Sequence, residues 1–160
     1  MKAIPWEVSG SKFSDSYIAG FLDGDGSIVA TTERRPERRR FPYRIRLKIN
    51  FTQHIRHLGY LVKLQKFFGG IGSMRKVVSH NLAELVIQDR EQVKMVLRRL
   101  LPHVVLKERQ IKIMLAIMDI YDTSKVHVRS SLSEKEFAKI LALVREIRNL
   151  NSRTGGKQTL

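Results

Sequence analysis

From Arg44 to Thr52 polar and apolar residues alternate without a break. Arg44, Arg46, Lys48, Asn50 and Thr52 fall on one parity, and Ile45, Leu47, Ile49 and Phe51 on the other. A two-residue period sends these sets to opposite faces of an extended strand. A helix would scatter the four apolar side chains around its axis. The stretch therefore predicts a strand with one buried face and one wet, basic face. Of the fifteen residues from Arg34 to Lys48, eight are Arg or Lys and only Glu37 is acidic. Such a surface repels itself unless a polyanion lies against it.

Composition points the same way. The 160 residues are 42% apolar, enough for the core of one domain. Thirty Lys and Arg against fifteen Asp and Glu leave a net charge of +15. A pI near 10.6 makes nucleic acid the expected partner. A basic membrane binder is disfavoured, because the cations are spread over the chain rather than along one helix. No apolar run approaches the roughly 20 residues needed to span a bilayer, and Met1 to Glu7 lacks the apolar core of a signal peptide. The absence of cysteine excludes disulfides, thiolate zinc sites and cysteine nucleophiles. These features predict an intracellular protein. Seventeen Arg against thirteen Lys favour a prokaryotic cytoplasm over an AT-rich organelle.

Local signals divide the chain into an arm (1–13), one domain (14–150) and a flexible basic tail (151–160). Ser14-Asp15-Ser16 predicts a helix start. The run Tyr17 to Leu22 follows and breaks at Asp23-Gly24-Asp25-Gly26. Ser27 to Thr32 predicts a strand, Glu33 to Pro42 an exposed connection, and Pro42 to Thr52 the alternating strand. His54 to Phe68 predicts a helix stopped by Gly69-Gly70. Ile71 to Ser79 and Leu82 to Gln88 predict a second hairpin around His80-Asn81. Asp89 with Gln92 predicts a capping box for a helix over Arg90 to Leu101, ended by Pro102. A further helix spans about Leu106 to Tyr121, followed by a basic loop over Thr123 to Ser131. Ser133 with Glu136 is a second capping box, opening a helix to about Leu150. The order is α+β, with two hairpins able to join in one antiparallel sheet.

Chemistry concentrates at Tyr17 to Ser27. Ala19, Gly20 and Gly24 leave part of a helix surface almost without side chains, so a second backbone can approach closely. In a two-fold dimer packed on that surface, Asp25 meets Asp25 of the second copy. Carboxylates that close repel unless a cation lies between them, and Mg²⁺ suits this ligand type. The string is not an EF-hand: with Asp23 first, the glycine position is Ile28 and the final acidic position is Arg34.

The run Tyr17-Ile18-Ala19-Gly20-Phe21-Leu22-Asp23-Gly24-Asp25-Gly26 closely resembles the LAGLIDADG motif of homing endonucleases. The order of helices and hairpins resembles a single-motif, homodimeric member over residues 14 to about 122. The resemblance implies an αββαββα core with a saddle-shaped antiparallel sheet and additional C-terminal helices. It implies Asp25 as the metal ligand, helped by the Gly24 carbonyl, with Mg²⁺ or another divalent cation such as Mn²⁺. It also implies a water-positioning residue after the second strand, Gln53 here, and a basic residue after a proline, Lys107 here. Where one type of the family carries an arginine early in the second helix, this chain has His57, with Arg56 adjacent. His54 and His57 lie one turn apart, but with no third ligand nearby they read as phosphate-facing or solvated.

A β-ribbon fits the major groove. Arg44, Arg46, Lys48 and Asn50 then form the expected reading face, extended by Thr31, Glu33 and Arg35 and by Arg75, Glu84 and Gln88. Arg145, Arg148, Arg153, Lys157 and the Lys125 to Arg129 loop are expected to meet phosphates. Two copies side by side would cover on the order of 20 base pairs of a pseudo-palindromic site, and the resemblance implies cuts in both strands at its centre. The alternatives are a LAGLIDADG-type maturase that folds intron RNA and a DNA-binding regulator without cleavage. Pure binding needs no paired carboxylates at a dimer seam, so Asp25, Gln53 and Lys107 favour the nuclease.

Overall fold

A computed structural model describes residues 12–38, 40–125 and 132–152. Helix α1 (Asp15–Asp25) leads into strand β1 (Gly26–Arg34), which returns as β2 (Tyr43–His54). A 3₁₀ turn (Ile55–His57) opens α2 (Leu58–Phe67). The second hairpin is β3 (Ser73–Val77) and β4 (Leu82–Ile87), and α3 (Arg90–Leu100), α4 (Glu108–Lys125) and α5 (Glu134–Asn151) complete the chain. The four strands form one antiparallel sheet in the order β1-β2-β4-β3.

The alternation in β2 fixes its register. Ile45, Leu47, Ile49 and Phe51 are buried, as are Ile28 and Ala30 of β1 and Ala83, Leu85 and Ile87 of β4. Against this apolar face pack Ile18, Ala19 and Leu22 of α1, Leu61 and Leu64 of α2, and the inner faces of α3, α4 and α5, all in a single core. The opposite face of the sheet carries the polar set. Among the described residues no helix is long and apolar enough to cross a membrane.

Side-chain caps open α1, α3 and α5. The Ser14 hydroxyl accepts from the Tyr17 N–H at 3.1 Å, and Ser133 and Glu136 form the expected reciprocal box. The Asp89–Gln92 box is only half made. Asp89 accepts the Gln92 N–H at 3.0 Å, whereas the Gln92 side chain accepts from the Gly72 N–H at 3.2 Å. Gly72 has φ +76°, and a Cβ there would lie 2.8 Å from the Val86 carbonyl oxygen, so glycine is required where this loop crosses β4. The second hairpin has shorter strands and a longer turn than expected. A 3₁₀ turn (Val78–His80) and a left-handed Asn81 (φ 52°) take up its tip. Asn151 is the last residue of α5, and its amide donates to the Ile28 carbonyl at 2.7 Å. Phe13 packs edge-on against Tyr60 and Phe67. Arg153, Lys157 and residues 126–129 lie outside the described residues, as do 1–11 of the arm.

Candidate active site

Helix α1 does not break at Asp23, as its glycines and aspartates suggest, but runs on to Asp25. The turn into β1 is made by Gly26, whose N–H donates to the Leu22 carbonyl. A Cβ on Gly26 would stand 2.8 Å from Leu22 Cα and 2.9 Å from its carbonyl oxygen, so only glycine lets the strand leave this close to the last helical turn. Asp25 thereby sits at the junction of helix and strand, exposed.

Gln53 shares parity with Phe51 and so lies on the core side of β2, beyond the last apolar residue. There it meets the end of α1: its Nε2 donates to Asp25 Oδ2 at 3.0 Å. Two of the three expected catalytic residues are thus in contact, although 28 positions apart in the chain. The Asp25 Oδ1 has no hydrogen-bond partner among the described residues and is available to a ligand.

Lys107 reaches the same junction through Asp23. The Asp23 carboxylate accepts the backbone N–H groups of Val105 (2.7 Å), Leu106 (3.1 Å) and Lys107 (3.1 Å), just ahead of α4. The Lys107 ammonium donates to the Asp23 carbonyl at 2.5 Å. That carbonyl is among the last four of α1, which lack intrahelical donors, and a cation suits the negative end of the helix dipole. Burial pulls the Lys107 pKa below its ordinary value, against the opposing pull of the Asp23 and Asp25 carboxylates. The sequence alone offers no role for Asp23 beyond the break after Leu22. Its partners lie more than eighty positions away, and no local pattern reports them.

On the outer face of α1, Gly20 and Gly24 have no atom within 4 Å of where a Cβ would be. Tyr17 lies on that side, half exposed, and the loop held by Asp23 adds Val105 and Leu106, 78% and 73% exposed. Among the described residues these are the most exposed large apolar side chains beside Val78. Ala19 requires a correction. It is fully buried in the chain's own core and has no surface for a second copy, because positions 18, 19 and 22 form the inner stripe of the helix. Tyr60 closes the side of the site, its hydroxyl donating to Tyr17 at 3.2 Å. Burial raises the Tyr60 pKa far above its usual value, reinforced by that hydrogen bond and by the negative charge of Asp25.

A metal ion would find few ligands within one copy. No group of three His, Asp or Glu side chains exists among the described residues. His54 Nδ1 accepts the Arg56 N–H, and His57 Nε2 accepts from the Arg56 side chain, so the histidines form no ligand pair. Asp25 Oδ1 and the Gly24 carbonyl are oxygen donors of the type a hard cation takes, with the remaining positions left to water, substrate or a second carboxylate.

On the polar face, Arg46 lies opposite Thr31, Arg44 opposite Glu33 and Lys48 opposite Val29, while Asn50 is flanked by Ser27 and Val86. Arg44 and Arg46 are exposed and Lys48 is partly covered. Glu33 binds Arg46 side chain to side chain and pairs with Arg35 at 2.8 Å. Arg75 and Glu84 face each other across β3 and β4 at 3.8 Å. The Asn50 Oδ1 is buried with no hydrogen-bond partner among the described residues. Gln88 lies past the end of β4, outside the sheet.

A family profile described as LAGLIDADG endonuclease matches residues 18–103. The chain belongs to that family. Among curated proteins it is 27% identical over 143 residues to the DNA endonuclease I-CreI of Chlamydomonas reinhardtii, covering 89% of this chain and 82% of that protein. Among solved structures, the homing endonuclease I-CvuI in complex with its target superposes with a TM-score of 0.75 at 25% identity, covering 91% of this chain and 85% of that one. The homing endonuclease I-TnaI gives 0.73 at 24% identity, covering 91% and 92%. The α+β architecture of this LAGLIDADG protein is that of these enzymes.

Proposed function

We propose that this LAGLIDADG protein is a site-specific double-strand DNA endonuclease. It works as a homodimer on a long pseudo-palindromic site and requires a divalent cation, Mg²⁺ or Mn²⁺. The observation that carries this reading is Asp25, exposed at the end of α1 and held through one oxygen by Gln53, beside a helix face stripped to Gly20 and Gly24.

Asp25 and the Gly24 carbonyl would hold the cation, and the second copy would bring its own Asp25 to the same seam. When bound, a divalent cation neutralises charge on the phosphate and makes an attacking water more acidic. Gln53 keeps the Asp25 carboxylate turned toward the seam and, through its remaining amide hydrogen and oxygen, orients water. Lys107 holds a positive charge at the same end of α1, where it offsets negative charge developing on the phosphate. Arg44, Arg46 and Lys48, with Thr31 and Arg75, lie on the sheet face that would enter the major groove. I-CvuI is described in complex with its DNA target, and I-CreI as a DNA endonuclease. Both support duplex DNA as the substrate here.

The test is incubation with a randomised duplex library, with and without Mg²⁺, followed by sequencing of cut ends. The expected outcome is one pseudo-palindromic family of cut sites that vanishes without the cation and with Asp25→Asn. Sedimentation of the DNA-bound protein should give two chains. A single chain on the cut duplex would overturn the shared-seam reading.

A further inference from the structure

Strand β4 stops short of β2. Its last paired residue is Ile87, opposite Ile49, so β2 from Tyr43 to Lys48 has β1 on one side and no strand on the other. The loss of cover is visible in the core row. Ile49 and Phe51 are fully buried, whereas Ile45 and Leu47 keep 7% and 6% of their surface. Beyond the open edge lie the start of α3, the last turns of α4 and the connection between β1 and β2. They enclose a cleft of about 740 Å³ with Ile45, Leu47 and Tyr121 as its apolar lining.

The charged lining is one-sided. Arg38, Arg44, Lys48 and Arg90 all border the cleft, and none of them enters an ion pair among the described residues. Arg46 also borders it but is engaged by Glu33. The one acid present, Asp89, caps α3. The Arg90 guanidinium lies 3.9 Å above the centre of the Tyr121 ring. Stacking holds a guanidinium by its face and leaves its rim of N–H donors open, the arrangement that suits phosphate.

We propose that this cleft holds one sugar-phosphate unit of duplex DNA flanking the base-contacting stretch. Arg38 and Arg90 take the phosphate, and the surface of Ile45, Leu47 and Tyr121 lies against the deoxyribose. The proposal rests on the endonuclease reading and goes beyond it. It adds an anchor off the sheet face and moves Gln88, which also lines the cleft, from base contact to phosphate contact. Charge favours a polyanion over a peptide strand on the open β2 edge. Continuity with Arg44 and Lys48 makes that polyanion the same duplex that meets the polar face.

The test is equilibrium binding of the full chain to its target and to unrelated duplex, across a salt series without divalent cation. Arg38→Gln with Arg90→Gln should make the log–log salt dependence shallower by about one, the contribution of one phosphate, on both duplexes and with base preference unchanged. A neutral methylphosphonate scanned along the target should reveal one position per protomer that weakens the wild type roughly tenfold, as loss of a charge-assisted bond does. The double variant should be insensitive at that position. Arg38→Gln alone, at an exposed residue, carries the same expectation in part and serves if Arg90→Gln impairs folding. An unchanged slope in folded variants or a shift in base preference would overturn the assignment. If the wild type binds no duplex at all, the endonuclease reading fails; if it binds and cuts while the variants match it, only the cleft assignment fails.

Discussion

Asp23 and Lys107 hold each other twice: carboxylate to backbone N–H at 3.1 Å, and carbonyl to ammonium at 2.5 Å. With the Val105 and Leu106 N–H groups on the same carboxylate, Asp23 acts as a cap supplied from another helix to the segment ahead of α4. Asp23→Ala leaves three N–H groups without an acceptor and should lower stability by about 1–2 kcal/mol in denaturant melts. Cleavage should fall more than DNA binding, because the Lys107 ammonium loses its position relative to Asp25. Lys107→Met separates the two effects. It keeps the backbone bonds to Asp23, so the melting midpoint should hardly move, while cleavage falls about a hundredfold. A Lys107→Met protein that cuts at the wild-type rate would remove this ammonium from the chemistry.

The Gln53–Asp25 bond predicts a graded pair of defects. Asp25→Asn should abolish cutting while leaving specific binding largely intact. Gln53→Ala removes the hold on the carboxylate and the amide that orients water, and should reduce cleavage about 10- to 100-fold, the usual cost of losing an orienting neighbour. Part of that loss should return at higher Mg²⁺, which titrations of rate against cation would register. Equal, cation-independent losses in both variants would argue that Gln53 acts on water alone.

The glycines in and just after α1 separate folding from assembly. Gly26→Ala places a methyl within 2.6 Å of Leu22 Cδ1 and against Leu22 backbone, so it should destabilise the single chain by about 1–3 kcal/mol. A Cβ at Gly20 has no atom within 4 Å among the described residues, so Gly20→Leu should be tolerated within one copy. Its monomer should melt like the wild type, yet sedimentation should find it dissociated. A Gly20→Leu protein that remains a dimer would refute packing on this face.

What the sequence made legible follows the range of each interaction. The alternation at 44–52 yields the strand, its buried row and its basic face, because a period-two pattern is complete within nine residues. Ser14 and Ser133 are legible for the same reason, as their caps bond three residues on. Gln92 misleads, since its side chain prefers Gly72 from another loop to its own cap. Ala19 misleads differently: small residues mark close packing without saying whether the neighbour is the chain's own sheet or a second copy. Asp23 and the cleft beside Tyr121 were invisible. Both depend on segments that only the folded chain brings together.

Glu33 is the acid on the basic sheet face, and its hydrogen bond with Arg46 holds its pKa below the usual 4.5. For a carboxylate with a lowered pKa, the pair is intact above the ordinary value and is lost as pH falls through the lowered one. Across about pH 5–8 the carboxylate therefore stays charged, and base preference next to Arg46 should be flat. Substitution releases what acid cannot reach in that range. Glu33→Gln takes the net charge from +15 to +16 (30 minus 14), frees Arg46 and leaves Arg35 with only Glu37 at 3.8 Å. Affinity for unrelated duplex should rise and its salt dependence steepen. Discrimination at the base facing Arg46 should weaken, because an unrestrained guanidinium samples phosphates as readily as base edges. Arg46→Ala should lose that same discrimination without the gain in unrelated binding. Competition assays with single-base variants of the target would distinguish the two, and a Glu33→Gln protein with unchanged preference would show that Glu33 does not set the aim of Arg46.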